Sequence, residues 1–171
     1  IEKIDWECLS ESHAPGAIKL LEANPEKIDW WSLSESHAPG AIKLLEANPE
    51  KIYWSYLSAN PCAIHLLEAN REKIYWPFLS LNPSAIHLLE ANPDKIEWTF
   101  LSLNTAPEAI KLLEANQDKI DWTEMSKNHG AIKLLEANKV KIVWWCLSAN
   151  PGAIKLLEAN QDKIYWVNLS G

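Results

Sequence analysis

One unit of 22 or 24 residues is written along this chain seven times, with almost no change at a dozen positions. An Ala-Ile-x-Leu-Leu-Glu-Ala-Asn block begins at Ala17, Ala41, Ala63, Ala85, Ala109, Ala131 and Ala153. A Lys-Ile-x-Trp-x-x-Leu-Ser block surrounds Trp6, Trp30, Trp54, Trp76, Trp98, Trp122, Trp144 and Trp166, with Met125 in place of one Leu. A period of this size is too short for a unit to bury its own apolar face, so neighbouring units must stack. The units fall near residues 13–34, 37–58, 60–80, 82–102, 106–126, 128–148 and 150–170, with a partial unit at 1–10. A stack of this kind offers an extended surface and not a catalytic cleft.

Each unit carries its own punctuation. In the third copy, Asn60-Pro61 reads as a helix start: Asn accepts from free N–H groups at the N-cap, and Pro at the first helical position gives up no hydrogen bond. Ala63, Ile64, Leu66, Leu67 and Ala69 follow at helical spacing, with His65 and Glu68 on the other face. So short a helix is marginal alone in water and depends on its neighbours. Asn70 ends it in a position suited to left-handed backbone, and a Pro follows the equivalent Asn at Pro25, Pro49 and Pro93. Asp5, Asp29 and Asp121 are N-cap candidates for a second element, Trp-x-x-Leu-Ser. Pro77, directly after Trp76, fits a helical turn that is only beginning, and Trp and Leu share a side at i and i+3.

Insertions agree with this register. Ser10 to Ala17, Ser34 to Ala41 and Ser102 to Ala109 each span seven positions, whereas the other four copies span five. Extra residues are tolerated in loops, so the Leu-Ser to Asn-Pro linker reads as a surface turn. The sequence predicts an all-α, right-handed solenoid of seven tandem repeats, each a short α-helix plus a short helical or 3₁₀ turn, forming an elongated superhelical rod. A leucine-rich-repeat-like horseshoe is the alternative, because its period and Leu/Asn signature overlap. The Trp-x-x-Leu spacing and Pro77, which would interrupt a strand, speak against it.

Composition narrows the function classes. Net charge is −7 with carboxylates spread along the chain, which disfavours nucleic acid as a partner. No apolar run approaches the length of a membrane span, and no leader is visible, although the chain opens on Ile1. Cys8, Cys62 and Cys146 have neither metal-ligand nor pairing spacing and read as reduced thiols.

Candidate sites follow from the columns. Trp6, Trp30, Trp54, Trp76, Trp98, Trp122, Trp144 and Trp166 are assigned to the structural core, since Trp buries a large area. The Lys/His column precedes the Glu column by three residues, as in His65 and Glu68, and reads as ordinary pairing within a helix. His65 and His87 lie one repeat apart, too far to share a metal. No Ser-His-Asp set, Cys-His pair or Gly-rich phosphate loop is discernible, so no catalytic residue, metal or cofactor is assigned. The freely varying positions flank the Trp. They gather Tyr53, Tyr56, Tyr75, Phe78 and Phe100, with Leu81 and Leu103 nearby in the linker. An aromatic strip on a regular surface is a candidate protein-binding patch, although the same rings could fill space between elements.

The cassette Asn-Pro-x-Ala-Ile-x-Leu-Leu-Glu-Ala-Asn-Pro-x-Lys-Ile-x-Trp-x-x-Leu-Ser resembles the Trp-containing 22–24-residue tandem-repeat proteins of large DNA viruses of amoebae and algae. The similarity covers nearly the whole chain. It implies a viral origin, in host cytoplasm or virion, and brings no catalytic residues with it. The expected function is a non-enzymatic repeat scaffold mediating protein–protein interaction. A structural spacer in a virion or filament is the alternative, and self-association stays open.

Overall fold

The computed structural model describes residues 4–12 and 14–166. The ends of the partial first unit and of the last unit thus lie outside the described residues. The chain divides into two compact units, residues 1–87 and 88–171. The helices in chain order are α1 (Trp6–Glu11), α2 (Pro15–Ala23), α3 (Trp30–Glu35), α4 (Pro39–Ala47), α5 (Trp54–Ala59), α6 (Ile64–Ala69), α7 (Trp76–Leu79) and α8 (Ile86–Glu90). They continue with α9 (Trp98–Leu103), α10 (Pro107–Ala115), α11 (Trp122–Lys127), α12 (Ile132–Ala137), α13 (Trp144–Leu147) and α14 (Ile154–Glu158). The architecture is all-α, with no strand among the described residues, so the horseshoe alternative is excluded.

Odd-numbered helices begin at a Trp and even-numbered ones carry Leu-Leu. In the first unit α1, α3, α5 and α7 stack in sequence, and α2 packs on α4. In the second, α11 packs between α9 and α13. Each Trp helix starts under a cap where the sequence supplies one: Asp5 accepts from Cys8 N, Asp29 from Ser32 N, and Asp121 from both Thr123 N and Glu124 N.

The core is built from leucine. Leu33, Leu57, Leu79, Leu101, Met125 and Leu147, three residues after Trp30, Trp54, Trp76, Trp98, Trp122 and Trp144, are fully buried, while Leu9 in the first, partial unit is half-buried. So is the second Leu of each Leu-Leu pair, from Leu21 and Leu45 to Leu113 and Leu135. Ile28, Ile52, Ile74, Ile96, Ile120 and Ile142 close the layer. Each such Leu stabilises the stack by about 1.5–3 kcal/mol relative to exposure. The tryptophans do not form this core. Trp6, Trp30, Trp54, Trp76, Trp98, Trp122 and Trp144 are half-buried, and Trp166 is 67% exposed. The indole stands at the first residue of its helix, and at Trp54, Trp122 and Trp144 the Lys of the next repeat approaches its ring. Lys141 Nζ lies 4.8 Å from the Trp122 ring centroid, Lys163 Nζ 4.7 Å from that of Trp144, and Lys73 Nζ 6.0 Å from that of Trp54.

Two polar columns hold the register, and both lie in the segment expected to be a surface turn. The Ser of each Leu-Ser is buried. Ser10 Oγ donates to Trp6 O at 2.7 Å and accepts from Asp29 N of the next repeat at 3.1 Å. Ser34, Ser58, Ser126 and Ser148 do the same toward Tyr53, Tyr75, Val143 and Tyr165. The buried Asn that follows works in the opposite direction along the chain. Asn60 Nδ2 donates to Ser34 O and Ser36 O of the preceding repeat, at 3.2 and 2.9 Å, while Oδ1 accepts from Cys62 N at 3.0 Å. Asn82 repeats this toward Ser58 O and Asn60 O, and Asn128 toward Ser102 O and Asn104 O. Backbone groups buried by stacking are thereby satisfied from the adjoining repeat.

The insertions have a local consequence. In the longer linkers Pro15, Pro39 and Pro107 open nine-residue helices, whereas in the shorter ones a 3₁₀ turn such as Pro61–Ala63 leads into the six residues of α6. Two further expectations are corrected. The Asn after Glu-Ala is not left-handed: Asn24 has φ −138° and ψ 63°, and no described residue has positive φ. Its Nδ2 instead donates to the carbonyl four residues back, as Asn24 does to Leu20 at 2.9 Å, which satisfies an orphan acceptor without that backbone. The chain then makes a 3₁₀ turn, such as Pro25–Lys27 or Pro93–Lys95, a third helical piece that every repeat has except the one where residues 116–118 form a plain turn.

Candidate aromatic interaction face

The residue before the Trp is held through its backbone N–H, which donates to the Ser of the previous repeat at Asp29, Tyr53, Tyr75, Asp121, Val143 and Tyr165. Asp29 and Asp121 also cap their helices with their side chains, but the main-chain bond needs no particular side chain, so Tyr and Val stand there released from that duty. In the first unit the released positions carry Tyr53 and Tyr75, which are 50% and 47% exposed. They adjoin a run of half-buried rings. Trp31 meets Tyr56 edge-on with centroids 5.1 Å apart, Tyr56 meets Phe78 at 5.9 Å, and Phe78 meets Tyr75 at 5.1 Å. Edge-to-face pairs of this kind add about 0.5–1.5 kcal/mol each and hold the rings in place. Leu81 is half-buried in the linker after α7.

The structure thus brings together three of the predicted residues in this unit through ring contacts, Tyr56, Phe78 and Tyr75, and leaves Tyr53 as an exposed ring at the start of α5. It adds Trp31, which is not among the candidate residues read from the sequence. The signal was available: Trp31 occupies a variable position beside the repeat's fixed Trp30. The remaining two, Phe100 and Leu103, belong to the second unit, where both are half-buried. There the corresponding helices α11 and α13 carry an ion pair, Lys127 Nζ to Glu124 Oε1 at 2.8 Å, and Trp145, which is 50% exposed.

An open pocket of about 200 Å³ adjoins the aromatic run at Tyr56 and is lined by Glu35, His37, Tyr56, Ala59 and Asn60. Nearby, Ser32 takes the position held elsewhere by Tyr56 and Phe78. It is fully buried, and its hydroxyl has no hydrogen-bond partner among the described residues. Ser32→Ala should therefore be neutral or stabilising by up to about 1 kcal/mol, since it removes a desolvated hydroxyl. Urea unfolding checks this, and a clear loss of stability would show that the hydroxyl is satisfied.

The charged columns are arranged differently from the expected intrahelical pairs. His65 Nε2 lies 2.7 Å from Glu46 Oε1 and His87 Nε2 lies 2.9 Å from Glu68 Oε1, so these pairs bridge neighbouring repeats. Both are solvent-exposed and contribute little to stability. Among the described residues no group of three or more His, Cys, Asp or Glu could hold a metal ion. The three thiols are free. Burial pushes the Cys146 thiol above its ordinary pKa, and the Asp5 side chain does the same to exposed Cys8. Neither is set up as a thiolate nucleophile. No described helix is long and apolar enough to cross a membrane. Comparison with family models, curated proteins and solved structures finds no match to this chain.

Proposed function

We propose that this chain is a non-enzymatic repeat scaffold that binds a partner protein through the aromatic face of residues 1–87. The observation that carries the reading is the exposure of Tyr53 and Tyr75 at the starts of two stacked Trp helices, with Tyr75 joined to the packed rings of Trp31, Tyr56 and Phe78. Rigid aromatic side chains cost little entropy to immobilise and concentrate interface energy. The repeat supports this use: main-chain and Ser/Asn hydrogen bonds carry the stacking, which leaves the flanking positions open to variation. Under the same reading the resemblance of the cassette to viral tandem repeats points to a viral scaffold acting in host cytoplasm or virion.

The double variant Tyr53→Ser/Tyr75→Ser tests it. Both side chains are half-exposed and their backbone N–H bonds to Ser34 and Ser58 survive, so helical content and melting temperature should stay unchanged. Proteins retained by the wild-type chain from lysate should be lost by at least tenfold on the variant. Equal retention with an unchanged fold would remove this face from consideration.

A further inference from the structure

The polarity of the first unit is sharply divided. The Trp segments 5–11, 29–35, 53–59 and 75–81 contain five carboxylates, Asp5, Glu7, Glu11, Asp29 and Glu35, and no Lys or Arg. The unit's basic residues all lie elsewhere, in the 3₁₀ turns, in the Leu-Leu helices or before the first Trp. Along the stacked helices α1, α3, α5 and α7 the carboxylates belong to α1 and α3 and their caps, and the exposed tyrosines to α5 and α7. The pocket lined by Glu35, His37, Tyr56, Ala59 and Asn60 lies where the two halves meet.

Each wall of that pocket limits what it can take. Glu35, the last residue of α3, is exposed, and among the described residues no Lys or Arg forms an ion pair with it. Tyr56 is braced by Trp31 on one side and Phe78 on the other, so its ring is a fixed aromatic wall. Asn60 has no amide left to offer: Nδ2 is spent on Ser34 O and Ser36 O, and Oδ1 on Cys62 N. An anionic group would meet Glu35 in a lining that holds no Lys or Arg, with His37 as its one titratable donor. An uncharged apolar group would desolvate that carboxylate without pairing it. A planar cation satisfies both walls at once, since guanidinium stacks on aromatic rings and forms forked hydrogen bonds to a carboxylate.

We propose that this pocket receives an arginine side chain of a partner polypeptide, paired with Glu35 and lying against Tyr56, with the flanking partner residues over Tyr53 and Tyr75. The assignment rests on the reading of this face as the interaction surface and adds the chemistry of what it selects.

Three pools of heptapeptides randomised at six positions, with the central residue fixed as arginine, citrulline or glutamate, test it on the immobilised full chain. Citrulline keeps the shape of arginine and removes its charge. The arginine pool should be retained at least tenfold more than either other pool. Glu35→Gln should bring the ratio of arginine to citrulline retention close to one without moving the melting temperature, because the side chain is exposed. Tyr56→Leu, which keeps an apolar wall without a π face, should lower it several-fold. Equal retention of arginine and citrulline pools on the wild type, or an arginine preference that survives Glu35→Gln, overturns the assignment. If that happens while Tyr53→Ser/Tyr75→Ser still abolishes partner retention, the face is an interaction surface that does not select arginine. If the arginine preference holds and the tyrosine variant retains its partners, the pocket acts apart from the wider aromatic face.

Discussion

Asn128→Asp is expected to lower stability by about 4 kcal/mol or more at neutral pH, although it changes a single amide to a carboxylate of the same shape. Asn128 is buried, and its Nδ2 donates to Ser102 O at 3.0 Å and Asn104 O at 2.9 Å. Asp removes both donors. Two buried carbonyls are left unsatisfied, at about 1–3 kcal/mol each, and a desolvated negative charge is set against their oxygens. The loss should depend on pH in a defined direction. Ionisation is disfavoured in the folded state, so the folded pKa of the new carboxyl lies above its unfolded value. Stability is then greatest below the unfolded pKa and falls as pH rises through the folded one. Urea unfolding near pH 4 should show a smaller deficit relative to wild type than near pH 7. Asn128→Ser should be milder, because Ser36 already fills the equivalent place in a longer linker and its hydroxyl accepts from Ala38 N. An Asp variant with the same deficit at both pH values would mean that the side chain is not held against those carbonyls.

Leu147→Ala should cost about 3–4 kcal/mol, the usual range for emptying a fully buried leucine site. Trp144→Ala should cost less, about 2 kcal/mol, despite the larger side chain, because the indole is half-buried and the flexible Lys163 lies over its ring. Trp145→Ala, at a half-exposed position, should cost under about 1 kcal/mol. Thermal and urea unfolding of the three variants gives the order directly. A Trp144 variant less stable than the Leu147 variant would return the core to the indole column.

That order reverses what residue size alone suggests, and the reason is geometric. Repetition of Trp at a fixed place signals constraint, but not which side of the residue is constrained. In the folded chain the i+3 residue is fully buried from Leu33 to Leu147, while the indole at the first helical position keeps part of its surface exposed. The cover it receives comes from Lys141 or Lys163, one repeat further on. Such cover depends on stacking and has no local signature.

The elements themselves were legible because their determinants are local. Asp5, Asp29 and Asp121 cap the helix that begins at the next residue, and Asn60, Asn128 and Asn150 accept from the backbone N–H two residues on. Spacing of Leu and Ala at helical intervals, and Pro at helix starts, act within one turn. Period, repeat register and the two α-helices of each repeat therefore followed from the sequence by itself, whereas the 3₁₀ turn after Glu-Ala-Asn did not. Tertiary structure decided the second half of each polar residue's work. Ser10 reaches Asp29 N, nineteen residues on, and Asn60 reaches back twenty-four residues to Ser36 O. These partners are main-chain atoms present at every position, so no residue pattern marks them. The same holds for the aromatic face: Tyr56 and Phe78 were visible as variable aromatics, but only stacking placed Trp31 against Tyr56 and Glu35 beside it. Capping and periodicity are written in neighbouring residues, whereas the distance between repeats is fixed by packing.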